Sequence, residues 1–509
     1  MKHLMLCLLA SFSAMMSTAQ NKTGIFDADA DVGNVLKHGS VSYDPSSQEY
    51  TVEGAGTNMW FGHDEFHFVY KKMKGDFILR TTAAFIGKGV EQHRKWGWMV
   101  RTSLDAASTH INGVVHGDGL TSLQFRRTTG ANTEEIKMPM THADIVQLER
   151  KGNVYTLSVA KNGELFTEQQ LSDVDLGDEV YVGLFVCSHN PAVVEKAVFR
   201  NVRIVVPAPD TLVPYKQYIG SHLEVMDVSN GFSKIIYQSK GSIQAPNWMH
   251  DGNRLLYNAD GLLYTFDLKT TTPTLLNSGS AKQNNNDHVM SFDGKMLGIS
   301  NFDKERKGSI VYTLPITGGE PKRITETAPS YLHGWSPDGK FLIFTGQRNN
   351  EFDIYKIPAS GGQEVQLTTA KGLDDGSEYT PDGQFIYFNS VRSGTMQIWR
   401  MKADGSNQEQ VTNDSLNNWF PHVSPDGKSI VYITFGKDVS PSDHPFYKHV
   451  YIRMMPIAGG PSKVIAYLYG DRALLIRHRG RRIVKKSLLS VTPVCCSQYF
   501  RLHHNLRFS

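Results

Sequence analysis

From residue 218 onward the chain repeats itself. Asp-Gly pairs stand at Asp251-Gly252, Asp293-Gly294, Asp338-Gly339, Asp382-Gly383 and Asp426-Gly427, spaced by 42, 45, 44 and 44 residues. A period of this length narrows the fold sharply: each unit is one supersecondary element that must bury its apolar face against its neighbours. The clearest unit, residues 334–368, reads GWSPDGKFLIFTGQRNNEFDIYKIPASGGQEVQLT. An inner strand ends in W-S-P, a tight turn follows, and then come the strands FLIFTG, DIYKIPA and EVQLT. Pro337 pre-sets the turn backbone, Asp338 can accept from its own turn amides, and Gly339 tolerates a positive φ. Four short strands in about 44 residues describe one blade of a β-propeller.

The stretches TPDGQFIYFNSVRSGTMQIWRMKADG and SPDGKSIVYITF repeat the pattern closely. MHDGNRLLYNADGLLYTFDL and SFDGKMLGISN repeat it more loosely. These units resemble the repeats of the TolB-like β-propeller family over residues 218–470, which implies a six-bladed ring. HLEVMDVSNGFSKIIYQ, residues 222–238, matches only the third and fourth strands of a blade. A ring of this kind closes by composing one blade from both chain ends. The C-terminus is therefore expected to supply strands one and two, with another W-S-P-D turn.

No such turn follows Gly470. Residues 471–509 carry nine Lys/Arg against one acidic residue, whereas the whole chain has a net charge of only +3. The basic balance belongs to this tail and is no sign of nucleic-acid binding. Codons exist for Gly470 to Thr492 that, in a shifted frame, encode Q-G-T-I-N-T-S-S-W-S-P-D-S-K-K-V-A-F-V-S-Y. We therefore read 471–509 as an aberrant basic tail produced by a frameshift, with the last blade incomplete in this chain. The alternative is a natural tail that binds an anionic surface.

Residues 21–206 show alternating apolar runs broken by turn signals, with Gly152 and Gly163 at hairpin tips and almost no helical periodicity. Many short strands predict a β-sandwich of jelly-roll type. DEFHFVYKKMKGDFILR, KWGWMVRTSLDAASTH, GLTSLQFRR and VYVGLFVCSHN resemble concanavalin-A-like lectin/glucanase sandwiches of secreted proteins. Residues 207–217, with Pro207, Pro209 and Pro214, read as a linker. The predicted fold is thus all-β throughout.

Residues 1–19 read as a signal peptide: Lys2 and His3, an apolar run from Leu4 to Met16, then Ser17 and Ala19 before the cut. No later stretch reaches the ~20 apolar residues of a spanning helix. The expected location is periplasmic or secreted. Of four cysteines only Cys187 belongs to the body, so no disulfide framework is expected and Cys187 reads as a buried core thiol.

Aligned on the Asp-Gly turn, the inner strands read APNWMHDG, DHVMSFDG, LHGWSPDG, GSEYTPDG and FPHVSPDG. His288 and His333 share one register, and Asn247, Glu378 and His422 the next, flanked by Asp287, Tyr331, Asp375, Trp419 and Phe420. These residues are the candidate binding set at the channel mouth. His333 and Glu378 are the catalytic candidates, and His288, His333 and His422 could hold a divalent metal such as zinc or manganese. Histidine-lined lyase propellers such as the oligogalacturonate lyases are similar in outline. Strand alternation argues against two adjacent registers converging. In the sandwich, Trp60, Trp96, Trp98, His110 and His116 could engage a sugar, and Asp64-Glu65 and Asp118 could hold calcium, although no loop has a calcium-binding spacing.

GxSxG, HExxH and phosphate-loop patterns are absent, and no α/β-hydrolase segment follows the propeller. The expected function is a non-catalytic binding or scaffold module for a protein or glycan partner, with no nucleic acid and no membrane span, monomeric when frame-corrected. The alternative is a carbohydrate-active lyase or hydrolase at the channel.

Overall fold

The structure, a computed structural model, describes residues 22–213 and 216–470, together with the backbone of one strand at Lys486–Val491. The expected signal peptide and, apart from that strand, the expected aberrant tail lie outside the described residues. Every regular element described is a β-strand, as expected of an all-β chain. Among the described residues no helix is long and apolar enough to cross a membrane. The described residues divide into two compact units, those within 1–74, 83–137 and 174–200 in one, and those within 75–82, 138–173 and 201–509 in the other.

Residues 28–205 supply two seven-stranded sheets. One of them lies wholly in the first unit and runs, in spatial order, Ala28–Val32, Phe66–Lys74, Glu179–Cys187, Lys95–Arg101, His110–His116, Thr121–Arg126 and Glu134–Lys137. Alternation explains its core: Phe66 and Phe68 share one face and pack with Val32, Met99, Val114, Phe185 and Cys187. Between them His67 turns the other way, its Nδ1 2.8 Å from Asp31 Oδ1. The central strands are buried along their whole length, so Trp96 and Trp98 are 2% and 0% exposed. Trp96 meets Phe199 edge-on at 5.9 Å. The sequence offered both tryptophans as sugar contacts but favoured a core role for tryptophan in a sandwich, and they are core residues.

The second unit contains five four-stranded antiparallel sheets in succession. The first is Gln244–Trp248, Arg254–Ala259, Leu262–Asp267 and Thr272–Leu276. The innermost strands of the other four are Asn284–Met290, Ser330–Trp335, Asp374–Tyr379 and Asn417–Val423. Each apolar cluster joins two successive sheets: Leu256 and Leu263 pack with Leu297 and Ile299, and Ile343 and Ile354 with Ile386 and Phe388. Trp335 illustrates the repeat's aromatic position. It is 3% exposed, and its Nε1 donates to Val289 O of the preceding sheet at 2.9 Å.

The turns follow the chemistry read from the sequence. Asp338 Oδ1 accepts from Ser336 Oγ at 2.6 Å and from Lys340 N at 3.1 Å. Asp293, Asp382 and Asp426 repeat the first bond with Ser291, Thr380 and Ser424, each at 2.6 Å.

Ser221–Asp227 and Phe232–Ser239 form a further sheet, in which Lys486–Val491 pairs antiparallel with Ser221–Asp227, His222 facing Val491. Leu223 shares an apolar cluster with Leu255 and Phe266 of the first four-stranded sheet, and Met226 shares one with Ile433 and Leu468 of the fifth. One strand of this three-stranded sheet thus comes from the segment after Gly470. Edge pairing uses backbone groups, so a segment of foreign composition can still occupy the place.

Candidate functional site

Each innermost strand carries a break in its pairing. The register slips between Gln244 and Asn247, Asn284 and His288, Leu332 and Gly334, Asp375 and Glu378, and Trp419 and His422. Extra residues on the inner strand make each slip a β-bulge, which locally resets the side-chain alternation. The backbone carries the mark of it. Ala245, Gly376 and Phe420, at one repeat position, have φ of 47°, 64° and 52°. At Gly376 a Cβ would come within 2.4 Å of Asn389 Oδ1 and 2.8 Å of the Phe420 ring.

Because of the bulges, two adjacent registers do converge. One cavity of about 50 Å³ is lined by Asn286, Asp287, His288, His333, Glu378 and His422, with Gly376, Ser377 and Phe420. That is room for a few water molecules. Asn247 is not in the lining, its Nδ2 donating to Ala245 O at 3.0 Å and to His288 O of the next sheet at 3.4 Å. Trp419 is fully buried in an apolar cluster, with His444 edge-on at 4.8 Å. Tyr331 is 7% exposed and not in the cavity lining. Asn286 and Ser377, which the sequence reading did not single out, line the cavity. The bulge is what admits them.

Most of the polar groups here are bonded from one sheet to the next. Glu378 accepts from His422 through Oε2 at 2.8 Å and from Val423 N through Oε1 at 2.9 Å. His333 Nε2 lies 2.8 Å from Asp375 Oδ1, which also accepts from Thr345 Oγ1 and Gly376 N, each at 2.8 Å. Phe420 N donates to Asn389 Oδ1 at 2.9 Å, and Leu332 N to Ser300 Oγ at 2.8 Å.

Burial pushes His288 down to about 4, against the pull of backbone groups of Leu256, Asn286 and Ala245. It pushes His422 down to about 4 as well, with the His333 charge adding to the effect. Both are neutral at pH 7. His422 Nε2 is buried without a hydrogen-bond partner.

The metal candidates His288, His333 and His422 share a cavity but are not found within ion-holding distance of one another. Among the described residues, one group of three or more His, Cys, Asp or Glu donors comes close enough to hold an ion, and it is His93, His116 and Asp118. His288, His333 and His422 are not in it. Asp64, a calcium candidate from the sequence, is fully buried as the hub of an ion cluster. Its carboxylate accepts from Arg126 at 2.6 and 3.0 Å and from Arg101 at 3.4 Å, with His110 Nδ1 3.5 Å away. Burial works to raise its pKa, but His110, Arg126 and Arg101 hold it below the usual carboxylate range. His110, a sugar candidate, is likewise fully buried. Trp60 remains half-buried.

Residues 327–442 match the TolB beta propeller domain family. An uncharacterised protein of Agrobacterium fabrum is 41% identical over 257 residues, covering 50% of this chain and 86% of that protein. A solved structure of a candidate TolB from Agrobacterium tumefaciens is 37% identical, covers 53% of this chain and 98% of that one, and superposes with a TM-score of 0.50. TolB from Acinetobacter baumannii is similar at 17% identity and a TM-score of 0.39, over 64% of this chain and 79% of its own.

Proposed function

Over its propeller the chain belongs to the TolB-like β-propeller family, and on that premise we propose that it is a periplasmic binding or scaffold module whose channel mouth receives a protein or glycan partner. The observation that carries this reading is the bonding of the channel carboxylates. Hydrogen bonds accepted by a carboxylate stabilise its charged form and weaken it as a general base. Glu378 is engaged through both oxygens, and one oxygen of Asp375 is shared by three neighbours. These groups act as staples between sheets, which suits a rigid platform better than a proton-transfer site.

The finer parts of the reading stand with it. The two N-terminal sheets form a concanavalin-A-like sandwich that adds partner or carbohydrate contact, and residues 1–19 direct export. The sheet built on Ser221–Asp227 is the sixth blade, and 471–509 is the frameshift product. In the shifted frame V-A-F-V-S-Y falls on the strand Lys486–Val491, at the place where a blade's second strand belongs. Sequencing the coding DNA tests this last point. A reading frame with no codon choice that restores W-S-P-D ends it.

For the function, the full chain is screened on a glycan array and assayed against acidic oligosaccharides. Binding without turnover, weakened about tenfold in His333→Ala, is the expected result. Turnover by the wild type that is lost in Glu378→Ala would replace the binding reading with the lyase one.

A further inference from the structure

Three donors meet in the first unit. His93 lies in the loop before the strand Lys95–Arg101, and His116 closes the strand His110–His116, with Asp118 two residues on in the next turn. The two loops are pinned to each other: Asp118 N donates to Gln92 O at 2.8 Å and Gly117 N to Arg94 O at 2.9 Å. The turn itself is closed by Gly119 N donating to His116 O at 3.0 Å. A ligand atom from each of the three side chains lies within 4.8 Å of the others, and His93 Nδ1 is 3.8 Å from Asp118 Oδ2. A third imidazole, His189, stands 5.5 Å from the His93 ring centre.

His116 is the second observation. It is 6% exposed, and its Nε2 lies 3.3 Å from the Gln124 amide, which holds the ring. Its Nδ1 is buried without a hydrogen-bond partner. A buried polar atom left unsatisfied costs ~1–3 kcal/mol unless something fills its place. Leu120 N occupies Asp118 Oδ1 at 3.0 Å and leaves Oδ2 toward His93.

We propose that His93, His116 and Asp118 bind a divalent transition-metal ion of the zinc type, with a coordination position open to solvent. Two imidazoles and a carboxylate suit zinc, which takes nitrogen and oxygen donors at about 2.0–2.2 Å in a tetrahedron. Donors in such a tetrahedron sit roughly 3.4 Å apart, so side-chain rotations of about 1 Å complete the site. Calcium fits poorly, since it wants six or more oxygens. Burial and the neighbouring Lys95, His93 and His189 disfavour protonation of His116. Lys95 is itself buried and bonded to Asn58 Oδ1, and its charge limits the affinity without occupying the donors. Half-exposed His93 and exposed Asp118 leave the ion reachable from solvent, and His189 is near enough to join on a rotamer change.

The test uses the untagged full chain, stripped with chelator and titrated with zinc against a chromophoric competitor. One zinc per chain is expected, weakened at least tenfold in His93→Ala and in Asp118→Asn, with cobalt(II) giving a tetrahedral visible spectrum that both variants lose. His93→Ala and Asp118→Asn are surface changes, so they serve if His116→Gln fails to fold. Wild-type affinity in both surface variants, no zinc bound at all, or preference for calcium would each overturn the proposal.

Discussion

The protein carries two groups of histidines, and they are built differently. In the first unit His93, His116 and Asp118 come from two loops joined by backbone hydrogen bonds, and their donor atoms approach one point with an imidazole nitrogen left over. In the propeller His288 and His333 come from one repeat position and His422 from the next, on three different inner strands. There His422 is bonded to Glu378 and His333 sits against Asp375 of the next sheet. Repetition spreads equivalent residues around a ring and offers each a partner on the neighbouring blade. Converging loops bring unlike residues together. A histidine-rich alignment of blades is thus weaker evidence for a metal site than two histidines and an aspartate on pinned loops.

The largest effect that would sharpen the contrast lies in the first unit, at the other end of the strands Lys95–Arg101 and His110–His116 from the first group. Asp64 is buried with two arginines, and removing it strands both cations in the interior. Asp64→Ala should cost about 3–5 kcal/mol of stability, read as a fall in the denaturation midpoint. A loss below ~1 kcal/mol would mean the cluster is hydrated and the first unit far looser than described.

Next comes acid. His288 is neutral and buried in the folded chain, with its pKa lowered from 6.5 to about 4. Below pH ~6.5 the unfolded chain takes up a proton that the folded one refuses, so stability falls with pH until about 4 and is unaffected above 6.5. At ~1.4 kcal/mol per unit the loss approaches ~3 kcal/mol for this one group. His288→Gln should remove that part of the pH dependence, measured as midpoint against pH. An unchanged profile would show that His288 titrates normally and that the channel is wetter than its geometry.

Glu378→Ala follows. It leaves His422 Nδ1 and Val423 N without their acceptor, both deep in the channel. A cost of about 2 kcal/mol is expected from calorimetry, with the fold retained. A stable variant with lost partner binding would instead make Glu378 a contact residue and weaken the staple reading.

What the sequence made legible was local. The Asp-Gly period, the turn bonds and the four-strand units depend on residues within a few places of one another. The bulges do not. Nothing in GSEYTPDG announces that Gly376 adopts a positive φ and lets Glu378 join His288 and His333 in one cavity, because pairing register is settled between strands. Trp96 and Trp98 were ambiguous between core and sugar contact for a related reason. KWGWMVR is buried on both faces, so its pattern carries no inward or outward signal. The His93 group is brought together across more than twenty residues of chain by backbone bonds, and only the short pair His116 and Asp118 hinted at it.

The smallest expected effect tests that local legibility. Asp338 is half-exposed, and its carboxylate accepts from Ser336 Oγ and Lys340 N within its own turn. Those bonds, with the Ser336 hydroxyl and Lys340 ammonium nearby, hold it below the usual carboxylate range. Asp338→Ala removes two solvent-accessible hydrogen bonds and no packing, so about 0.5–1 kcal/mol should be lost. The same substitution at Asp382 or Asp426 should cost the same within error, because the turn geometry is repeated. Equal small losses at all three would confirm that the turns are interchangeable parts. A much larger loss at one blade would mark that turn as coupled to something beyond itself, and the difference between repeated and singular regions would have to be redrawn there.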